Sequence, residues 1–581
     1  KIVKSDEMQI NTVKQLFYIV VSIQKGYNFV SESKVLYFVI PNPNFYIMKK
    51  TLLALSICAL VVLQACQNDD NSSGSNQEQK VILNADSQSL ASRMNYDNSG
   101  VINLDGDANA IARNGNASAF PMSLLAEVNP PVYNGVKLTA SHVDVKDNYV
   151  YVSYNTQGDA YLGGIDVIDV SQPNNPQLVV QAILPNTDIS TVVYNNGQLY
   201  IAGATNVDSN GALTSPAFVA KMPLQNGMLT NNYSSVSLVG NVATGLAVSD
   251  SKYYGVSGNN GVVAKIDKTT NTIETTIAIA DLRAMGRIDN KIVVLSGSDG
   301  VKVFNADNLA LQSSFSTSSD VLDAKRTIDF QGNNLLVSEG YQGLKVYNLT
   351  SGSLLQTLSL PTGLPDVDQN DVVTNAVSVN GDFVYVANGA AGVYVYKKVS
   401  GNLSLLGSIQ LGGSSNYVKS AGDYIFVATG TGGLKIIKKV TVSSIDCTAF
   451  ATYNGGQWLN VNSGETLSYQ GSAALQGINV NQNLTFCGSL SVAQQLNVNS
   501  NGIFTLKGSL AQGQNNSTTM HVNGTFRVEG SVVIYGNLTL NSGAKLEFLG
   551  SNSSITVYGK VTMNGNVTIT GTYMDVLNKF N

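Results

Sequence analysis

The sequence predicts an all-β protein, a seven-bladed β-propeller followed by a short C-terminal β-solenoid. Three observations carry that expectation. The 581 residues are 43% apolar and 13% charged, with 54 glycines and 27 tyrosines, a composition that favours strands joined by tight turns. A glycine-bracketed strand pair recurs between about residues 141 and 441, and after residue 454 glycines recur at shorter intervals while charge nearly vanishes.

Taken in order, the chain first shows an address. From Met48 it reads "MKKTLLALSICALVVLQAC": two lysines, an apolar run from Leu52 to Leu63, then Leu63-Gln64-Ala65-Cys66. The run is too short to span a bilayer comfortably and has the layout of a secretory signal. It resembles the lipobox of bacterial lipoproteins, which implies that Cys66 is lipidated and anchors the chain to the outer membrane. The following "QNDDNSSGSNQEQ", with Asp69 and Asp70, resembles surface-export signals of some Gram-negative lipoproteins and implies the cell surface. Residues 1–47 read as a leader ahead of the true start, residues 48–66 as the signal, and residues 67–117 as a polar tether.

The propeller is expected over residues 118–441. Gly258-Asn259-Asn260-Gly261 precedes "VVAKID", and Gly297-Ser298-Asp299-Gly300 precedes "VKVFN". The same pattern recurs at Gly340–Gly343, Gly389–Gly392 and Gly430–Gly433. Glycine at both loop ends permits the positive φ angles of a short hairpin connection. Two looser copies, "NYVYVSY" to "GGIDVIDV" and "GQLYIAG" to "AFVAKMPL", complete seven units. The last supplies only three strands, and "MSLLAEV", Met122 to Val128, resembles the fourth-strand segments elsewhere. Its pairing with Leu434 to Lys438 would close the ring and remove an open edge.

The stretch "GGIDVIDVSQPNNP", Gly163 to Pro176, is similar to the LVIVD repeat, with Ile165-Asp166-Val167 in the strand and Ser171 to Pro176 in the Pro-Asn turn. Only this blade carries the full signature. The resemblance implies a secreted or surface bacterial propeller and no single activity.

Residues 446–581 are expected to form the solenoid, short alternating runs such as "TFRVE", "SVVIY" and "NLTLN" stacking rung on rung; a flatter β-sandwich is the alternative. Cys447 and Cys487 stand 40 residues apart, either bridged outside the cytoplasm or as two buried thiols. With only His142 and His521 elsewhere they do not make a zinc site.

Several function classes are disfavoured. A net charge of −5 leaves no basic stripe for nucleic acid. Gly430 to Lys435 imitates a phosphate loop but joins two strands, with no helix behind it. Asp366, Asp368 and Asn370 place oxygens at alternating positions, as calcium loops do, and Asp105-Gly106-Asp107 starts the same way. Neither has the glycine and acid that complete such a loop, so no cofactor is expected and calcium at Asp366, Asp368 and Asn370 is the alternative. His142, Asp144, Arg283, Arg287, Arg326 and Asp371, with Asp323, fall near the innermost strands and form the candidate ligand face. From Asn454 to Tyr573 there is no Asp, and Glu465, Glu529 and Glu547 are scattered, which disfavours glycan hydrolysis by the solenoid. The expectation is a non-enzymatic, lipid-anchored binding or display protein, its partner a glycan, an envelope polymer or a surface protein. A channel enzyme, a glycan hydrolase or quinone-type dehydrogenase, is one alternative; a purely structural envelope protein is the other.

Overall fold

The computed structural model describes residues 81–95, 100–102, 122–158, 160–172, 175–318, 325–439, 447–513 and 517–580. The leader, the signal with Cys66, Asp105 to Asp107 and Asp323 lie outside these residues.

Seven antiparallel sheets form the propeller, each beginning at its innermost strand. Blade 1 runs through Thr139–Lys146, Tyr149–Asn155, Leu162–Asp169 and Gln177–Pro185. Blades 2 to 6 begin at Thr187, Ala243, Leu282, Ile328 and Ala376 and hold four strands each. Blade 7 takes Tyr417–Ala421, Tyr424–Ala428 and Leu434–Lys439 from the end of the domain and Met122–Val128 from its beginning. Leu434 pairs with Val128 and Lys438 with Ser123, so chain start and chain end share one sheet. The alternation of each strand sends aliphatic side chains to both faces, and the core lies between neighbouring blades.

Glycine conformation in the second-to-third-strand loops follows the expectation in part. Both bracket glycines take positive φ in blades 5, 6 and 7; in blade 4 only Gly300 does, and in blade 3 Asn260 takes that role at 49°. Gly261 is needed there for another reason: a Cβ would sit 2.1 Å from the Ser257 carbonyl oxygen.

Part of the stretch read as a polar tether is folded. Ile82–Asn84 adds a fifth strand to blade 1, Ser87–Ala91 forms a helical turn capped by Asp86, and Met94–Asn95 pairs with blade 7 at Glu127 and Val128. This segment bridges the seam where the ring closes. Arg93 fixes it, donating to both oxygens of Asp166 and to Gln181 on blade 1, and to the Asn129 carbonyl beyond blade 7. Asp166 is the acid of the "GGIDVIDV" stretch, and it is fully buried.

The C-terminal part is a parallel β-solenoid of about six turns, not a sandwich. Its strands exceed the five-residue runs expected: Thr466–Val480 and Asn483–Val498 pair in parallel along their lengths, with one register shift between Leu475 and Gly477. Leu484, Phe504, Phe526 and Leu546 form one interior column. Gly471, Gly488, Gly508 and Gly530 form another, all at positive φ between 106° and 137°. Asparagines stack at a turn, Asn499 donating to Asn481 at 2.7 Å and Asn541 to Asn523 at 2.6 Å. Cys447 and Cys487 are disulfide-bonded, tying the first turn to the rung that begins at Asn483.

Candidate functional site

The residues nominated for a ligand face do not assemble as a ring. His142 and Asp144 lie on the innermost strand of blade 1 and face the channel with the partners described below. Arg326 is fully buried, its Nε donating to the Ser338 carbonyl at 3.3 Å. Arg283 sits at a bulge in the inner strand of blade 4 and meets Asp281 at 2.6 Å, whereas Arg287 is exposed near that strand's other end. Asp371 is exposed in a loop between blades 5 and 6. Spacing along the chain placed these residues near inner strands, but it could not report which end or which face of the strand each occupies.

The proposed calcium loop does not converge either. Asp366, Asp368 and Asn370 are exposed, and the Asp368 carboxylate accepts the Asn370 N–H as the cap of a short 3₁₀ turn. Among the described residues no three His, Cys, Asp or Glu side chains gather as metal ligands. The solenoid acids are likewise engaged locally: Glu529 with Lys507 and Glu547 with Arg527, each at 2.7 Å, and Glu465 with the Asn462 N–H.

What the channel does contain is a set of blade-to-blade ties. Asp144 accepts the Tyr194 N–H of blade 2, Asp329 the Val379 N–H of blade 6, and the Ser378 hydroxyl the Ser420 N–H of blade 7. Each acceptor stands three residues before the positive-φ residue of its hairpin turn, Asp147, Gly332 and Gly381. Lys419 occupies the same place before Gly422 but has no lone pair to offer, and its Nζ lies 3.8 Å from Asp144 instead. The innermost strands of blades 1 to 4 carry bulges at Ser141, Ser190, Thr244 and Arg283, and two of these add further ties. The hydroxyls of Ser141 and Thr244 donate to the carbonyls of Ile189 and Leu282 in the next blade.

Lys325, just ahead of blade 5, reaches across the axis to the Ser141 and Ser190 carbonyls of blades 1 and 2. Its ammonium lies 5.0 Å from the Tyr417 ring centroid, and that ring meets His142 at 4.1 Å. Burial pushes Lys325 down to about 7 and, with Lys325 and Lys419 nearby, holds His142 well below the usual histidine range. Burial raises Asp144 and Asp329. Lys325, Asp329, Tyr417 and Lys419 were not singled out in the sequence; for Asp329 and Lys419 the fixed offset of three residues before the turn glycines Gly332 and Gly422 was the available signal.

A separate concavity opens between blades 2 and 3, on the face that carries the first hairpin turns. Its volume is about 580 Å³. The Asn195-Asn196-Gly197 turn forms one side, with φ of 47° and 74° at the last two residues, as a type I′ hairpin requires. The opposite wall is residues 224–233, longer than the equivalent connections 268–272, 306–310 and 349–353, and fixed where Tyr151 donates to the Gly227 carbonyl at 2.9 Å. Lys268 rises from the floor, 5.3 Å from the Tyr200 ring centroid, and donates to Asn195 Oδ1 at 2.6 Å. Lys221 donates to the Lys268 carbonyl at 2.5 Å.

No protein-family model and no curated protein matches this chain. Among solved structures, the WD40 β-propeller domain of Doa1 is similar over 55% of this chain and 97% of its own, at 13% identity and a TM-score of 0.40. The computationally designed Ika8 protein covers 52% of this chain and 98% of its own, at 14% identity and a TM-score of 0.36.

Proposed function

We propose that this chain is a non-enzymatic binding protein of the bacterial envelope, held to the outer membrane by lipid on Cys66 and displayed at the cell surface, with a glycan or envelope polymer as partner. The β-propeller is a generic scaffold for binding, and its faces offer broad contact surface. The observation that carries the binding reading over a channel enzyme is the engagement of three axial ionisable groups with the ring itself: Asp144 and Asp329 hold backbone N–H groups of the next blade, and Lys325 spans the axis, while His142, whose Nδ1 makes no hydrogen bond among the described residues, is shut in against the Tyr417 ring. A reaction centre needs groups whose hydrogen-bonding capacity is free for substrate. The ordered run of lysines, apolar segment and Cys66 supports the anchor, and the LVIVD-like blade supports an envelope address.

The test expresses the full chain in a Gram-negative host with an alkynyl fatty acid, beside Cys66→Ser, and runs a thermal-shift panel of envelope glycans on the purified protein. The reading expects label on wild type only, cleavage by protease added to intact cells, and an upward shift with at least one glycan. Unlabelled soluble protein would overturn the anchor. Turnover of a glycan or quinone substrate that falls in Asp144→Asn would overturn the binding role.

A further inference from the structure

The concavity between blades 2 and 3 has a chemistry the channel lacks. Two ammonium groups, on Lys221 and Lys268, approach it from adjacent blades, and each donates to a neutral oxygen. Each ammonium carries three donors, so each keeps donors for a ligand. Asp250 is the acid at this rim, and it is exposed. Burial lowers Lys268, and Asp250 opposes that effect. Lys221 and Lys268 outnumber Asp250 in this lining, whereas the chain as a whole carries a net charge of −5.

The remaining lining is suited to hydroxyls. Asn195 engages its carbonyl oxygen with Lys268 and keeps its NH₂ group, while Gln198 and Asn232 present amides that both donate and accept. Such amides match the paired donor and acceptor character of vicinal sugar hydroxyls. Tyr233, half-buried on the long wall, supplies an apolar ring beside them. A volume of about 580 Å³ falls among those of small-ligand sites.

From this arrangement we infer that the blade 2–3 concavity binds an acidic glycan, its carboxylate at Lys221 and Lys268 and its hydroxyls at Asn195, Gln198 and Asn232. The inference rests on the glycan-binding reading above and adds the place and the sign of the ligand's charge. The loop 224–233 is then the specificity element, because it alone gives blade 2 the second wall.

The experiment is calorimetric titration of the full chain with digalacturonate, neutral galactobiose and inorganic phosphate, on wild type, Lys221→Gln/Lys268→Gln, Asp250→Asn and, as a control, Lys302→Gln. Digalacturonate should bind most tightly and weaken as salt rises. The double variant should lose about tenfold or more, the control nothing, and Asp250→Asn should gain, a result no folding defect can imitate. Equal digalacturonate affinity in every variant would overturn the site and leave glycan binding standing. Galactobiose binding as tightly as digalacturonate would overturn the acidic class, and phosphate binding as tightly would overturn the sugar. Silence toward all saccharides would overturn both this inference and the glycan reading it rests on.

Discussion

Arg93 grips Asp166 with two parallel hydrogen bonds, Nη1 to Oδ1 at 2.9 Å and Nη2 to Oδ2 at 2.5 Å, and Asp166 has no exposed surface. The pair joins the N-terminal segment to blade 1 while the same guanidinium holds the Asn129 carbonyl beyond blade 7. Removing one partner of a buried pair leaves an uncompensated charge, which typically costs about 3 kcal/mol or more. Arg93→Ala should therefore lower the unfolding free energy by about that amount in chemical denaturation and speed proteolysis at the seam. Replacing both partners, Arg93→Met with Asp166→Leu, should recover most of the loss.

Ring closure by Met122–Val128 has its own test. Glu127 and Lys435 are opposite each other, their side chains meeting at 2.7 Å. Glu127→Cys with Lys435→Cys should cross-link on oxidation and raise the melting temperature, because the bond closes a loop across the whole propeller. Free thiols after oxidation would mean that this register is wrong.

Stability should rise with pH across the neutral range. His142 is depressed when folded, so the unfolded chain takes up its proton first as pH falls, and stability is lost below about 6.5. Lys325, at about 7 when folded and near 10.4 when unfolded, binds fewer protons in the native state between those values, so stability climbs over that window. Asp144 and Asp329 act oppositely but near pH 4 and just above, where their raised folded-state pKa values exceed the unfolded one. Melting temperature against pH should rise from 6 to 9 in wild type and flatten in Lys325→Met above 7.

The solenoid should fail at its glycine column before its turns. At Gly508, φ is 137° and a Cβ would stand 2.0 Å from the Gly488 carbonyl oxygen. Gly508→Ala should cost about 3 kcal/mol or more in chemical denaturation. Gly543, at positive φ but with open space around it, should tolerate alanine at about 1 kcal/mol.

Much of the architecture is legible in the sequence because repetition reports it. The G-x-x-G loops mark second-to-third-strand connections, and "MSLLAEV" reads as a fourth strand because its alternation matches "NLSLLGSI". The latch is not legible: Arg93 stands in a polar stretch with no periodicity, and its partner Asp166 lies 73 residues on. The channel is only partly legible. His142 and Asp144 were nominated because they fall near the start of an innermost strand, whereas Lys325 precedes its strand and reaches across an axis that no local pattern describes. The arginines misled because Arg326 turns into its own blade and Arg283 turns to Asp281. The blade 2–3 concavity depends on the length of one loop relative to its counterparts, a comparison that the looser repeat at blade 2 obscured.

The central claim is that hydrogen bonds from the axial side chains hold the ring together while the blade 2–3 face takes the ligand. Digalacturonate-induced stabilisation, measured side by side for Lys221→Gln/Lys268→Gln and for Asp144→Ala/Asp329→Ala, which removes two blade-to-blade acceptors, tests it most directly. The account predicts that the channel variant melts earlier yet keeps its ligand-induced shift, and that the face variant melts like wild type yet loses it. A shift abolished by the channel variant and retained by the face variant would contradict it.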